Sequence, residues 1–189
     1  MAYTVKDVFY LSTSATIASG TSAGGSSQLD LSAYIDPIAR GRNKGTGLAI
    51  YKVHWDVYDA GTNDPVPMIT TGAFRAGIFS DLGLPAGVTG SVNPAVDTLT
   101  VSNDLAVSIM DWWGAGSTTT ITGRAGINTK TWVAPSTEVP YVIVRDTIQL
   151  IASISTATSN SCTVGVRLEC AQITLDMATL NQLLRTQTV

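Results

Sequence analysis

The sequence predicts an all-β chain, an antiparallel β-sandwich followed by one short C-terminal helix. Three observations carry this. Ser and Thr together number 43 of the 189 residues and Gly 17, a bias toward strand and turn formers. Glu, a good helix former, occurs only twice, at Glu138 and Glu169. Apolar residues recur with a period of two in segment after segment, and no helical period of any length precedes Asp176. With 44% apolar residues the chain can bury one substantial core and is short for two, so an ordered single domain over residues 1–189 is expected.

The elements follow in order. Tyr3 to Leu11 alternates as a first strand, and the uncharged stretch Ser12 to Ser27 reads as either an edge region or a flexible arm. Leu29, Leu31, Ala33 and Ile35 alternate with Gln28, Asp30, Ser32 and Tyr34 in a strand that stops at Asp36-Pro37. Leu48 to Tyr58 is the cleanest long strand, with Ala49, Tyr51, Val53, Trp55 and Val57 on one face and Ile50, Lys52, His54, Asp56 and Tyr58 on the other. The turn-forming run Asp59 to Pro65 ends it. Ala73 to Ser80 is a strand in which Gly77 marks a bulge or a close approach. Asp81 to Pro94, with three glycines and two prolines, reads as a long loop. Val96 to Val101 and Leu105 to Trp113 are spaced to pair across Ser102-Asn103-Asp104. Gly114-Ala115-Gly116 breaks the chain, Thr118 to Thr122 offers a short β-branched strand, and Asn128 to Glu138 reads as an exposed loop holding Trp132. Val139 to Ser155 and Cys162 to Leu175 are the two strongest core strands. Asp176 then caps a helix with Met177, Leu180, Leu183 and Leu184 on one side and Arg185 near its C-terminus.

Charge and cysteine usage exclude several function classes. Eleven Lys plus Arg against 14 Asp plus Glu give a net charge of −3, and the one basic cluster, Arg40, Arg42 and Lys44, lies among glycines as a solvated loop. A nucleic-acid binder needs a stripe of cations facing phosphates, and the chain lacks one. Met1 to Asp7 has no basic region followed by an apolar one, so no secretory signal is read there, and Val139 to Ile154 is too short and too polar to span a bilayer. Cys162 and Cys170 fall on one face of a strand, about 27 Å apart at a rise of ~3.3 Å per residue, far beyond disulfide reach. Both are expected as free, buried thiols, with no metal site and no cofactor.

The catalytic inventory is thin. His54 is the only histidine, lies within a strand and shares a face with Lys52 and Asp56, which favours an incidental role over general-base chemistry. Asp56, Asp59 and Asp64 sit at a strand end and turn, where Asp is favoured for backbone reasons rather than for glycoside hydrolysis or calcium binding. No phosphate-cradling loop is present, since Gly41 to Gly47 lacks the spacing. The chain is therefore not expected to be an enzyme. Aromatic platforms remain. Trp112 and Trp113 point to opposite faces if extended, so at least one is exposed, and Trp132 lies in polar surroundings. These three rings are the candidate interface or ligand residues, able to fill a partner's pocket or to stack on a sugar.

A disulfide-free chain of this length, read as one β-sandwich rich in Ser, Thr and Gly and without a catalytic constellation, resembles the single jelly-roll capsid proteins of icosahedral viruses. The likeness is to the small ones of tailless archaeal and bacterial viruses, and it rests on strand number, length and composition over the whole chain. It implies a jelly-roll-like sandwich, self-assembly into symmetric rings that tile a shell, copies of itself and other capsid subunits as partners, and residence in the virion after assembly in host cytoplasm. Many RNA-virus shell proteins carry an Arg-rich N-terminal arm, whereas Ser12 to Ser27 is neutral, so strong nucleic-acid binding is not expected. The alternative is a carbohydrate-binding or adhesion sandwich that uses Trp112, Trp113 or Trp132 as platforms.

Overall fold

The structure, a computed structural model, describes residues 5–19, 24–36, 44–63, 73–80, 99–113, 128–156 and 160–187. Alternating sequence becomes strand almost throughout: β1 (Val5–Ile17), β2 (Gly24–Asp30), β3 (Lys44–Asp59), β4 (Ala73–Ser80), β5 (Ala106–Trp113), β6 (Asn128–Val133), β7 (Tyr141–Ile143), β8 (Thr147–Thr156) and β9 (Cys162–Asp176), followed by helix α1 (Met177–Thr186). They form two antiparallel sheets, in the orders β1-β9-β3-β7 and β2-β8-β4-β5-β6.

The pairing has an inner logic. β4 pairs with β5, β3 with β7, β2 with β8 and β1 with β9. The chain is thus one long antiparallel ribbon, doubled back at β4 and β5, whose four rungs fall alternately in the two sheets. Winding such a ribbon produces the jelly-roll connectivity. Two further ladders, β3 with β9 and β4 with β8, join the rungs into sheets, and β6 is an added edge strand beside β5.

The inner faces meet in a core of Leu48, Ile50, Ile78, Val107, Ile143, Ile148, Leu150, Val166 and Leu168, all 3% exposed or less. A second cluster, with Ile17, Phe74, Met110, Trp112 and Val164, continues it toward one end. In β3 this burial requires a departure from strict alternation. Ile50 pairs with Cys170 and Lys52 with Glu169, which leaves Tyr51 as an extra residue. The bulge reverses the face assignment read from the sequence: Leu48 and Ile50 join Val53, Trp55 and Val57 toward the core, while Ala49 and Tyr51 turn to the helix side.

Other elements differ from the sequence reading for local reasons. Leu31 to Ile35 is a turn rather than strand, because Leu31 O accepts from the N–H groups of Tyr34 and Ile35 and the Asp30 carboxylate accepts from Ser32 N. Leu31 and Ile35 are both buried, on a spacing of four that alternation also satisfies. Residues 99–101 are bends and turn, with Asn103 N donating to Thr100 O, and β5 pairs with β4 and β6 instead. Asn128 to Val133 is a strand, not a loop. Val139 to Ser155 is no single strand: Val144 to Asp146 carries the chain from the first sheet to the second. Thr118 to Thr122, Asp81 to Pro94 and Val96 to Thr98 lie outside the described residues.

Helix α1 forms as expected. Asp176 accepts from Thr179 N, and Leu180 is buried with Met177, Leu183 and Leu184 against Ala49, Ile173 and Leu175. Gln187 then blunts the free edge of β7, its amide accepting from Val144 N and donating to Val142 O as a neighbouring strand would. At the opposite flank β1 and β2 close the sandwich, joined by a 2.6 Å contact between the Thr13 and Ser27 hydroxyls. Residues 12–17 continue β1 and residues 24–27 open β2, each at an edge of its sheet.

Close approach accounts for glycine at Gly77 and Gly25. At Gly77 a Cβ would lie 2.5 Å from the Phe79 ring, and at Gly25 it would lie 2.6 Å from the backbone oxygen of Thr16. The second obstacle cannot rotate away. Gly25→Ala is expected to destabilise the protein by about 1–3 kcal/mol, the usual cost of overpacking. Urea unfolding with an unchanged slope and a lowered midpoint is the expected readout; an unchanged midpoint would show that the β1–β2 flank is not tightly closed.

Candidate functional site

The three tryptophans singled out above separate by strand parity. Trp112 faces inward, is 1% exposed, and stacks on Phe74 with centroids 5.1 Å apart. Its indole N–H finds no partner among the described residues. Such an orphan costs about 1–3 kcal/mol, which the burial of a large ring offsets. Trp113, one residue on, faces outward and is 39% exposed; Trp132 on β6 is 47% exposed. The structure therefore leaves two of the three rings accessible, both on the outer face of the second sheet.

Between them runs a row of alternating charge. Cross-strand register sets Arg75 of β4 opposite Asp111 of β5, and Asp111 opposite Lys130 of β6. Arg75 grips Asp111 through two nitrogens, with Nη2 2.8 Å from Oδ2, and Nη1 donates to Leu99 O. Trp132 Nε1 also donates to Asp111 Oδ2, and the Lys130 ammonium lies 3.5 Å from the centre of the Trp132 ring. Beside this row is a cleft of about 410 Å³ lined by Ala73, Arg75, Leu99, Thr100, Trp113 and Ser153. Sequence reasoning missed Arg75 and Asp111, whose meaning depends on register between strands 36 residues apart.

The chemistry open to this face is binding. The Arg75 guanidinium holds the Asp111 carboxyl below the usual range, with a smaller contribution from Trp132, and burial opposes both. Asp111 stays ionised and accepts from three donor atoms, which suits it to position rings and not to deliver protons. Two partly exposed indoles can stack on a sugar or enter a partner's pocket.

The remaining candidates sit apart from it. His54 faces outward on β3, with Nε2 3.7 Å from Glu169 Oε2. Asp59 is committed to a turn, accepting from Gly61 N, Thr62 N and Asn160 Nδ2. Asp64, Arg40 and Arg42 lie outside the described residues, and Lys44 begins β3. Cys162 and Cys170 form no disulfide and are buried, and burial beside Glu169 pushes the Cys170 thiol up to about 12, which makes it a poor nucleophile. No group of three or more metal-ligating side chains occurs among the described residues, and no helix there is long and apolar enough to cross a membrane.

Comparison with known proteins returns no likeness to weigh against this geometry: no family model, no curated protein and no solved structure matches the chain.

The lowered Asp111 pKa gives a signed expectation. A carboxylate depressed in the folded state stabilises above the ordinary aspartate value of 3.8 and loses that contribution as pH falls through its folded value. The Trp132 indole N–H resonance should shift in an acid titration with a midpoint below 3.8, and Asp111→Asn should abolish that step. Because the pair is partly exposed, the variant should cost only about 1 kcal/mol or less. A Trp132 resonance indifferent to both treatments would show that Asp111 does not hold the ring.

Proposed function

We propose that the chain is a structural subunit of a viral capsid that self-assembles into symmetric rings tiling an icosahedral shell. The observation that carries this reading is the wound ribbon, with its four rungs alternating between two sheets. That connectivity serves viral shells and also lectins, and a fold by itself does not set a function. The distribution of exposed apolar side chains favours the shell.

These side chains lie on more than one part of the subunit. Val8 and Tyr10 are each 52% exposed on the edge strand β1, while Trp113 and Trp132 occupy the outer face of the second sheet. Val101 and Val139, 59% and 75% exposed, belong to two end loops tied by Tyr141 Oη donating to Asp104 O. A binding module needs one such surface; a subunit with neighbours on several sides needs several. The charged fraction of 13% supports the same reading, because contacts poor in ions can be desolvated without stranding charge. The partners on this reading are copies of the chain and other capsid subunits, the setting is the virion, and no reaction or cofactor is involved. The net charge of −3 argues against strong nucleic-acid binding.

The second reading, a carbohydrate-binding or adhesion module, is supported by Trp113 and Trp132 sharing a face with the cleft beside Arg75.

Sedimentation and electron microscopy of the purified chain separate the two. Concentration-dependent association into rings or closed particles is expected. Val139→Glu and Trp113→Glu should weaken association about tenfold or more while leaving the melting temperature unchanged, since each buries an unpaired charge only on assembly. A monomer at every concentration and ionic strength would overturn the shell reading, and glycan binding abolished by Trp132→Ala would favour the second.

A further inference from the structure

We infer that the outer face of the first sheet carries a hollow, centred on Gly165, that binds a neutral oligosaccharide. This site is distinct from the tryptophan face and does not rest on the shell reading. Register builds it. Across β1, β9 and β3 the outward positions align as Tyr10, Glu169 and Lys52; Ser12, Arg167 and His54; Ser14, Gly165 and Asp56; Thr16, Thr163 and Tyr58. Gly165 leaves one place in this array without a side chain.

The neighbours are turned so as to leave the hollow open. Arg167 leans onto the Tyr10 ring, 4.1 Å from its centre, and His54 is directed toward Glu169. Thr16 and Thr163 bond each other at 3.2 Å. Ser12, Ser14, Asp56 and Tyr58 remain, and none has a side-chain hydrogen bond among the described residues. They line a cleft of about 510 Å³, a volume within the range of small-molecule sites. The Tyr58 ring forms one wall, its Cε1 atom 3.6 Å from where a Gly165 Cβ would stand. Elsewhere the polar clusters are closed internally, as in Arg75 with Asp111 and Trp132, or Asp59 with Asn160.

The donor set selects the ligand class. An ionised carboxylate accepts from two adjacent hydroxyls, serine hydroxyls donate and accept, and a phenol ring covers the apolar C–H face of a sugar. Within the array the carboxylates of Asp56 and Glu169 stand against the cations of Lys52 and Arg167, so no strong field of one sign marks the face. A polyanion would meet the two carboxylates and a simple cation the two bases; an uncharged polyhydroxyl chain meets neither penalty.

Gly165→Val is the decisive variant. Its Cβ meets only ordinary contacts and a β-branched residue suits a strand, so the fold is retained while the hollow is filled. The purified chain would be titrated with four- to six-unit oligosaccharides of glucose, galactose, mannose and N-acetylglucosamine, followed by two-dimensional NMR. Binding is expected for at least one, weakened about tenfold or more by Gly165→Val and by Asp56→Asn, and untouched by Trp113→Ala. No binding at millimolar sugar, or binding indifferent to Gly165→Val, would overturn the inference. Loss with Trp113→Ala or Trp132→Ala alone would place the sugar on the tryptophan face instead and overturn it equally.

Discussion

The ladder between β3 and β9 sets the rest of the molecule, and its decisive feature is the one unmatched residue at Tyr51. Strict alternation through β3 would force a choice: to bury Leu48 and Ile50 it would have to bury Lys52, His54 and Asp56 as well. Burying those ionisable groups unpaired would cost far more than a local distortion of the ladder. The bulge resolves the conflict, and its consequence reaches both faces. Inside, one apolar row runs the length of β3 against Val164, Val166 and Leu168 of β9. Outside, the sheet divides into an apolar end covered by α1 and a polar end left open to solvent.

The wound ribbon explains how the edges of such a sandwich are managed. Each sheet ends in strands whose outer hydrogen-bonding groups lack a ladder partner, a hazard for uncontrolled pairing. At one flank β1 and β2 approach so closely that Gly25 admits no side chain. At β7 the amide of Gln187 takes the place of a neighbouring strand, and Arg145 Nε donates to the Gln187 carbonyl to hold it there. The helix is therefore more than a lid on Ile173 and Leu175: the residue that caps its C-terminus protects a sheet edge. Contacts between subunits on the proposed reading would then come from side-chain surfaces and loops and not from open strand edges at those places.

Legibility in the sequence follows the range of the interactions concerned. Period-two alternation located β4 and β9 to within a residue, and the Asp176 cap with its apolar stripe located α1, because both signals are local. Leu31 to Ile35 failed because two apolar residues four apart satisfy alternation and a tight turn alike. The run from Val139 to Ser155 concealed a change of sheet; Arg145 and Asp146 marked the place, but inner strands of either sheet look the same in composition. β6 was missed because an edge strand with an exposed outer face has little apolar content to show. Of the candidate site, parity correctly parted Trp112 from Trp113. Asp111 and Gly165 acquire their meaning only from neighbours on other strands, which no single segment displays.

The scarcity of charge, which set the expectations at the outset, is better understood from where the charges lie. Arg75, Asp111 and Lys130 hold one another and Trp132. Asp59 orders a turn, Asp176 caps the helix, and Arg167 rests on Tyr10. These ions act within the subunit, orienting rings and closing turns, so they are already engaged before any partner arrives. Much of the remaining surface carries hydroxyls and scattered apolar side chains, which a neighbour can cover at little electrostatic cost. Asp56 is the exception that matters: an outward carboxylate beside a vacant strand position, with two serines and a phenol facing the same space. Asp30, Asp59, Asp111 and Asp176 are each committed to local structure, and an uncommitted carboxylate in a concavity is where a polar ligand has most to gain.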